Sequence, residues 1–162
     1  MSDRAPGLPV SDRVDRGIDA LLGRFPHKGS ALLPALYLIQ EEKGFVPEEC
    51  MEYVAGKIGV SPAYVLGVVS FYTMFQRRPV GRHHIQLCMT LPCALRGSDQ
   101  TMRHLEKRLG IGRGGTTPDG RVSLAAVECL AACDRAPFCQ INDREFGPLD
   151  AAAIDRILET LK

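Results

Sequence analysis

The sequence predicts an α/β protein in which a small bundle of helices precedes a domain of strands and helices. Three observations predict it. Apolar residues recur at helical spacing up to about residue 75, and residues 76–82 are then polar and broken by proline and glycine. Beyond them the period falls to two, in His83-His84-Ile85-Gln86-Leu87 and in Val122-Ser123-Leu124-Ala125-Ala126-Val127. Residues 1–10 are accordingly expected to be a flexible tail, 11–78 the N-terminal helical bundle and 79–162 the α/β domain.

The first helix is expected over 11–25, where Val14, Ile18, Leu21, Leu22 and Phe25 share a face. Ser30 is the expected cap of a second, over 31–43, which holds Pro34 in its first turn and stops at Gly44. Pro47 opens a third, with Glu48 and Glu49 at its positive end, Met51, Val54, Ala55 and Ile58 on one face, and Gly59 closing it. Ser61-Pro62 starts a fourth, carrying Val65, Val68, Val69 and Tyr72 toward Phe71-Tyr72-Thr73-Met74-Phe75. In the second domain the strand at 83–87 leads, through a helix expected to be capped by Ser98 and ended by Gly110, to the strand at 122–127. A hairpin about Asn142-Asp143 and a helix capped by Asp150, bearing Ile154, Ile157, Leu158 and Leu161, complete the domain.

Composition narrows the function classes. The chain has 162 residues, 45% of them hydrophobic and 24% charged, with a net charge of +1. A near-neutral balance without basic blocks lacks the electrostatic footprint of a nucleic-acid binder. No apolar run approaches the roughly 18 residues of a membrane span, so neither nucleic acid nor membrane insertion is expected and the chain is expected to be soluble. The first residues contain an acid and no apolar core, unlike a secretory signal, and a reducing cytosolic setting is expected.

The chemistry resides in the cysteines. Cys88 and Cys93 have four residues between them and follow the first strand; Cys129 and Cys133 have three between them and follow the second. Pro92 cannot continue a strand ladder, so a loop carrying both sulfurs of the first pair is expected. Two strand-end loops can face each other, and four thiolates converging on a rigid scaffold suit a metal or an iron–sulfur cluster. Structural zinc usually sits on tighter knuckles with two residues between paired cysteines, whereas a four-residue gap recurs in plant-type 2Fe-2S proteins. Spacing therefore favours 2Fe-2S, with zinc second, and buried or disulfide-bonded cysteines as the plain alternative. Arg96 and Arg135, beside the two loops, would suit an anionic cluster.

Other motifs carry less. Gly110-Ile111-Gly112-Arg113-Gly114-Gly115 matches a dinucleotide fingerprint, but it follows a helix and leads to a strand, the reverse of what a nucleotide site needs, and a flexible turn is expected. His83 and His84 are expected at the surface, and Cys50 in the bundle as a small structural residue. Cys139, at a strand start beyond Pro137, is not expected to be a ligand.

With these residues in view, the chain resembles the small 2Fe-2S (24 kDa type) subunit of the NADH-oxidising module of bacterial respiratory complex I. The resemblance rests on Glu42-Lys43-Gly44-Phe45-Val46-Pro47, on Phe71 to Phe75, on Cys88 through Arg96-Gly97, and on Glu128-Cys129 through Cys133 with Ala136-Pro137. It implies a thioredoxin-like domain whose cofactor-binding and metal ligands, Cys88, Cys93, Cys129 and Cys133, hold one 2Fe-2S cluster. It further implies a neighbouring flavoprotein subunit that binds FMN and NADH, a role off the main electron line that shortens the life of reduced flavin, and a place peripheral to the cytoplasmic face of the membrane. Catalytic residues for NADH oxidation are not expected in this chain. Relatives also serve NAD-linked hydrogenases and formate dehydrogenases, and Phe138-Cys139 departs from the apolar, non-cysteine residues that relatives tend to carry. A free thioredoxin-like ferredoxin is the rival reading, against which the whole N-terminal bundle speaks. A thiol–disulfide oxidoreductase would want C-x-x-C at a helix start, which the sequence lacks.

Overall fold

The computed structural model describes residues 9–161, so residues 1–8 of the expected tail lie outside the described residues. The chain divides into two compact units after Pro79.

The first unit is helical. Helix α1, Asp12–Arg24, starts at Ser11, whose Oγ accepts a hydrogen bond from the Val14 N–H at 3.3 Å, with Asp12 and Asp15 in the first turn where the helix dipole favours them. Helices α2 (Leu32–Lys43), α3 (Glu48–Ile58) and α4 (Pro62–Phe71) follow. Gly44 and Gly59 end α2 and α3 at φ 79° and 85°, in the left-handed conformation that stops a helix and favours glycine. The apolar stripes meet in one core that includes Val14, Ile18, Leu36, Ile39, Val54, Val65 and Phe75. The Lys57 ammonium bridges Asp15 and Asp19 of α1, and the Tyr53 hydroxyl also donates to Asp15, tying α3 to α1.

Two expectations are corrected here. Ser30 does not cap α2: it lies in a 3-10 turn, Lys28–Ala31, and the helix begins at Leu32 without a side-chain cap, Pro34 removing one N–H that would have needed a partner. Val10, placed in the tail by the sequence, is buried in the core, and the Pro9 carbonyl lies 3.5 Å from Cys50 Sγ. No single helix among the described residues is long and apolar enough to cross a membrane. Helices α3 and α4 pass that test together, but the pair is bent by 118° and packs Met51, Val54, Val65 and Val69 into the bundle core.

The second unit is a four-stranded sheet with helices. Its elements are β1 (His83–Cys88), the short helix α5 (Leu91–Leu95), α6 (Ser98–Leu109), β2 (Val122–Val127), β3 (Cys139–Ile141), β4 (Arg144–Phe146) and α7 (Ala151–Thr160). The strand order is β2-β1-β3-β4, with β1 and β2 parallel and the other pairs antiparallel. Alternation along β1 sends Ile85 and Leu87 to one face, where they pack with Leu124, Cys139 and Ile141 against Met102 and Leu105 of α6 and Ile154 of α7. The hairpin turns at Asn142, whose φ of 51° suits asparagine, and Asp150 caps α7 by accepting from the Ala153 N–H at 2.6 Å.

Ser98 is not the cap of α6 as expected. Gly97, at φ 98°, takes that place, and its carbonyl accepts from Gln100 and Thr101 while Ser98 is buried as the first helical residue. The glycine run 110–115 is not a loose turn either. The Gly114 N–H bonds to the Leu124 carbonyl at 2.6 Å and the Leu124 N–H to the Gly115 carbonyl at 3.0 Å, so the run covers the outer edge of β2, an edge that would otherwise present unpaired backbone groups.

Candidate metal centre

Parallel pairing decides where the cysteines go. Cys88 stands opposite Val127 in the register, so β1 and β2 deliver both cysteine segments at the same end of the sheet. That end is pinned: the Cys88 N–H donates to the Phe138 carbonyl and the Met89 N–H to the Val127 carbonyl, both at 3.0 Å.

The first pair is more rigid than the loop its sequence predicts. Cys88 is the last residue of β1, and Cys93 sits in α5, which Pro92 opens with its fixed φ already helical. Both sulfur-bearing residues are only 2% exposed. The Thr90 hydroxyl lies 3.2 Å from Cys88 Sγ. Burial works to raise the Cys88 thiol, but hydrogen bonds from Thr90, from the Cys93 thiol and from the Leu130 N–H outweigh it and hold Cys88 below the usual thiol range. Cys93 is pushed up to about 11, by burial first and then by its hydrogen bond to Cys88.

The second pair is exposed. Cys129 lies two residues past β2, the chain turns at Ala131 with φ 59°, and Cys133 begins a 3-10 turn, Cys133–Arg135. The two sulfurs are 3.9 Å apart, and the Ala131 N–H donates to Cys129 Sγ at 3.3 Å. Cys133 is raised by its hydrogen bond to Cys129, then by burial and by the charges of Cys129 and Cys88.

The structure thus brings all four predicted thiols to one sheet end as two pairs within electrostatic reach of each other. Four such sulfurs cannot all ionise beside one another unless positive charge lies among them, and the raised values of Cys93 and Cys133 mark that demand. Among the described residues no three His, Cys, Asp or Glu side chains close around a single metal ion. The donor set is therefore two facing pairs, served by the N–H groups of Leu130, Ala131 and Phe138. Backbone donors to sulfur are what an anionic iron–sulfur cluster needs around it, so the residues fit such a group.

Cys139 is held apart. It pairs with Leu87 across the sheet, so its side chain shares the face of Leu87 and points away from the face of Cys88. There it packs beside Ile85, Leu105, Ile141 and Leu149, and burial pushes its thiol up to about 12. Cys50 is fully buried in the bundle core, its thiol raised by burial. His83 and His84, at the opposite end of β1 from Cys88, are half-buried rather than at the surface as the sequence led us to expect. His84 Nδ1 is buried without a hydrogen-bond partner, and burial lowers the pKa of the ring.

Arg135 differs from its expected role. Its guanidinium meets Glu145 at 2.7 Å and lies 4.8 Å from the centre of the Phe138 ring, so it fastens the second cysteine segment to the β3–β4 hairpin. Sequence reasoning missed this clamp and the turn at Ala131, because alanine carries no signal for a left-handed backbone. Thr90 could have been found, as a hydroxyl two residues from Cys88.

Comparison with known proteins adds the lineage of this frame. The profile of the thioredoxin-like 2Fe-2S ferredoxin family matches residues 18–162. An NADH-quinone oxidoreductase subunit of Rhizobium meliloti is 45% identical over 145 residues, which cover 90% of this chain and 86% of that one. A subunit of the NADH-quinone oxidoreductase of Thermus thermophilus is 39% identical over 80% of this chain and 72% of its own. Among solved structures, an NAD+-reducing NiFe hydrogenase in its air-oxidised state superposes with a TM-score of 0.69 and 27% identity over 80% of this chain; the match spans only 22% of the hydrogenase chain.

Proposed function

From the premise that this chain belongs to the thioredoxin-like 2Fe-2S ferredoxin family, we propose that it is an electron-transfer subunit of an NADH-quinone oxidoreductase. In this reading Cys88, Cys93, Cys129 and Cys133 hold one 2Fe-2S cluster, and the partner is a flavoprotein subunit that binds FMN and NADH. The observation that carries the reading is the pair of parallel strand ends presenting two cysteine pairs side by side.

When bound, a 2Fe-2S cluster takes up and returns one electron at a time. The chain's own residues set the conditions. Thr90 and the Leu130 N–H favour the thiolate of Cys88, the Ala131 N–H donates to Cys129 Sγ, and burial of Cys88 and Cys93 keeps water from half of the set. The exposed Cys129 and Cys133 are the side open to exchange with a partner.

A hydride carries two electrons, so a flavin must stand between NADH and a one-electron centre, and that flavin is assigned to the partner. Exposed apolar side chains offer the partner purchase: Phe71, Tyr72 and Met74 in the first unit, and Leu91 and Leu95 beside Cys93 in the second. Phe75, by contrast, is core, packed against Tyr37. Placement peripheral to the cytoplasmic face of the membrane follows from the same reading. A hydrogenase parent is the second reading, favoured by the superposition above. The relatives matched over most of their own length favour the quinone-reducing parent.

Metal and sulfide analysis of the purified chain should return two irons and two acid-labile sulfides. NADH alone should leave the chain oxidised while dithionite bleaches it, and the flavoprotein should make NADH effective where the cluster's potential lies within its reach. Stoichiometric zinc without sulfide from iron-replete cells, or rapid bleaching by NADH in verified absence of flavin and other protein, would overturn the reading.

A further inference from the structure

The segment from Cys129 to Cys133 is held against the preference of one of its own residues. Among the described residues only Ala131 and Asn142 have positive φ without being glycine, at 59° and 51°. Asparagine can offset the crowding of that region through its short amide. Asn142 does so: its Oδ1 accepts from the His84 N–H at 2.9 Å and its Nδ2 donates to the Arg82 carbonyl at 3.0 Å. Alanine has no such group, and its Cβ is pressed toward the following carbonyl.

What Ala131 gains is geometric. Its N–H reaches Cys129 Sγ at 3.3 Å, and the reversal it makes brings Cys133 Sγ to 3.9 Å from Cys129 Sγ. That N–H is set by the backbone before it, so rotating Ala131 back to negative φ would leave it in place but swing the following residues away and part the two thiols. Downstream the segment is fastened: the Arg135 N–H donates to the Ala132 carbonyl at 3.1 Å, and the Arg135 guanidinium meets Glu145 at 2.7 Å. The anchor therefore holds the turn that alanine alone would abandon.

We infer that Ala131 is a positioning residue of the thiol set: its left-handed backbone closes the Cys129–Cys133 pair, and the strain of its Cβ makes this exposed half the first to let go. The inference rests on the reading that these thiols hold a cluster. Hydrogen bonding and solvent access at the sulfurs set a cluster's potential, so the placing of Cys133 also bears on potential.

The test uses the full chain loaded with iron and sulfide, and the variants Ala131→Gly, Ala131→Val and Ala132→Gly. Residue 132 has φ −118°, where glycine relieves nothing. Loss of visible absorption to excess chelator should be about fivefold slower in Ala131→Gly than in the unmutated chain, about fivefold or more faster in Ala131→Val, and no slower in Ala132→Gly. The reduction potential should stay put in Ala131→Gly, which keeps the turn, and shift in Ala131→Val, which displaces Cys133 from its place beside Cys129. Equal loss rates in Ala131→Gly and the unmutated chain, equal slowing in Ala132→Gly, or an unmoved potential in Ala131→Val would overturn the inference. An unmutated chain without iron and sulfide would overturn the cluster reading instead. The strain would then be judged by the thermal midpoint of the metal-free chain, which Ala131→Gly should raise and Ala132→Gly should not; no rise would overturn it.

Discussion

Cys88→Ser should abolish the visible iron–sulfur absorption of the purified chain, while Cys139→Ser should leave its spectrum unchanged. Cys88 is anchored on three sides, by the Phe138 carbonyl, the Thr90 hydroxyl and the Leu130 N–H, so its sulfur is the most preorganised of the four. A serine oxygen there stays protonated at neutral pH and is a hard, poor ligand for iron. Loss of an outer-shell partner alone costs about 10- to 100-fold in metal affinity, and loss of a ligand should cost more. Cys139→Ser acts on a different quantity. Its hydroxyl would sit among Ile85, Leu105 and Ile141, leaving a polar group without a partner at a cost of roughly 1–3 kcal/mol in stability. Absorption lost in Cys139→Ser and kept in Cys133→Ser would show that the fourth ligand is Cys139.

The reason this site was legible from sequence is that its main determinants are local. Period-two runs ending at Leu87 and Val127, each followed within two residues by a cysteine, locate the thiols once the strands pair in parallel. Helix ends at Gly44, Gly59 and Gly110 were legible for the same reason, since each glycine takes a left-handed conformation that other residues avoid. What stayed hidden is set by tertiary context. Ser98 has the chemistry of a cap, yet Gly97 occupies the cap position and the serine is drawn under the helix as a buried residue. Ser30 fails likewise because the chain enters α2 through a 3-10 turn. The pairing of Arg135 with Glu145 depends on β3 and β4 folding back together, ten residues along the chain. Ala131 gave no sign of its turn, because the segment's anchors rather than its own propensity impose the backbone there.

The same anchors lead to the largest expected effect on stability, at Gly147. This residue follows β4 where the chain passes the cysteine segment, and the Leu149 N–H fixes it by donating to the Pro137 carbonyl at 3.0 Å. A Cβ on Gly147 would meet the Arg135 carbonyl oxygen at 2.5 Å, a Phe138 ring carbon at 2.7 Å and the Pro137 carbonyl oxygen at 3.2 Å. Two of these atoms are backbone and the third belongs to a fully buried ring, so no flexible side-chain end can yield. Overpacking of this kind costs about 3 kcal/mol, which for a chain of this size is a fall of roughly 6–12 °C in thermal midpoint. Gly112→Ala, where nothing lies within 4 Å of the new atom, should stay within about 0.5 kcal/mol of the unmutated chain. The damage should also reach the thiols. Arg135 is two residues past Cys133, and the Phe138 carbonyl accepts from the Cys88 N–H, so displacing 135–138 moves a support of each pair. Gly147→Ala should therefore both melt earlier and release iron to a chelator faster than Gly112→Ala. A thermal midpoint within about 2 °C of the unmutated chain would mean that residues 135–138 shift freely, and that they are not the support described here.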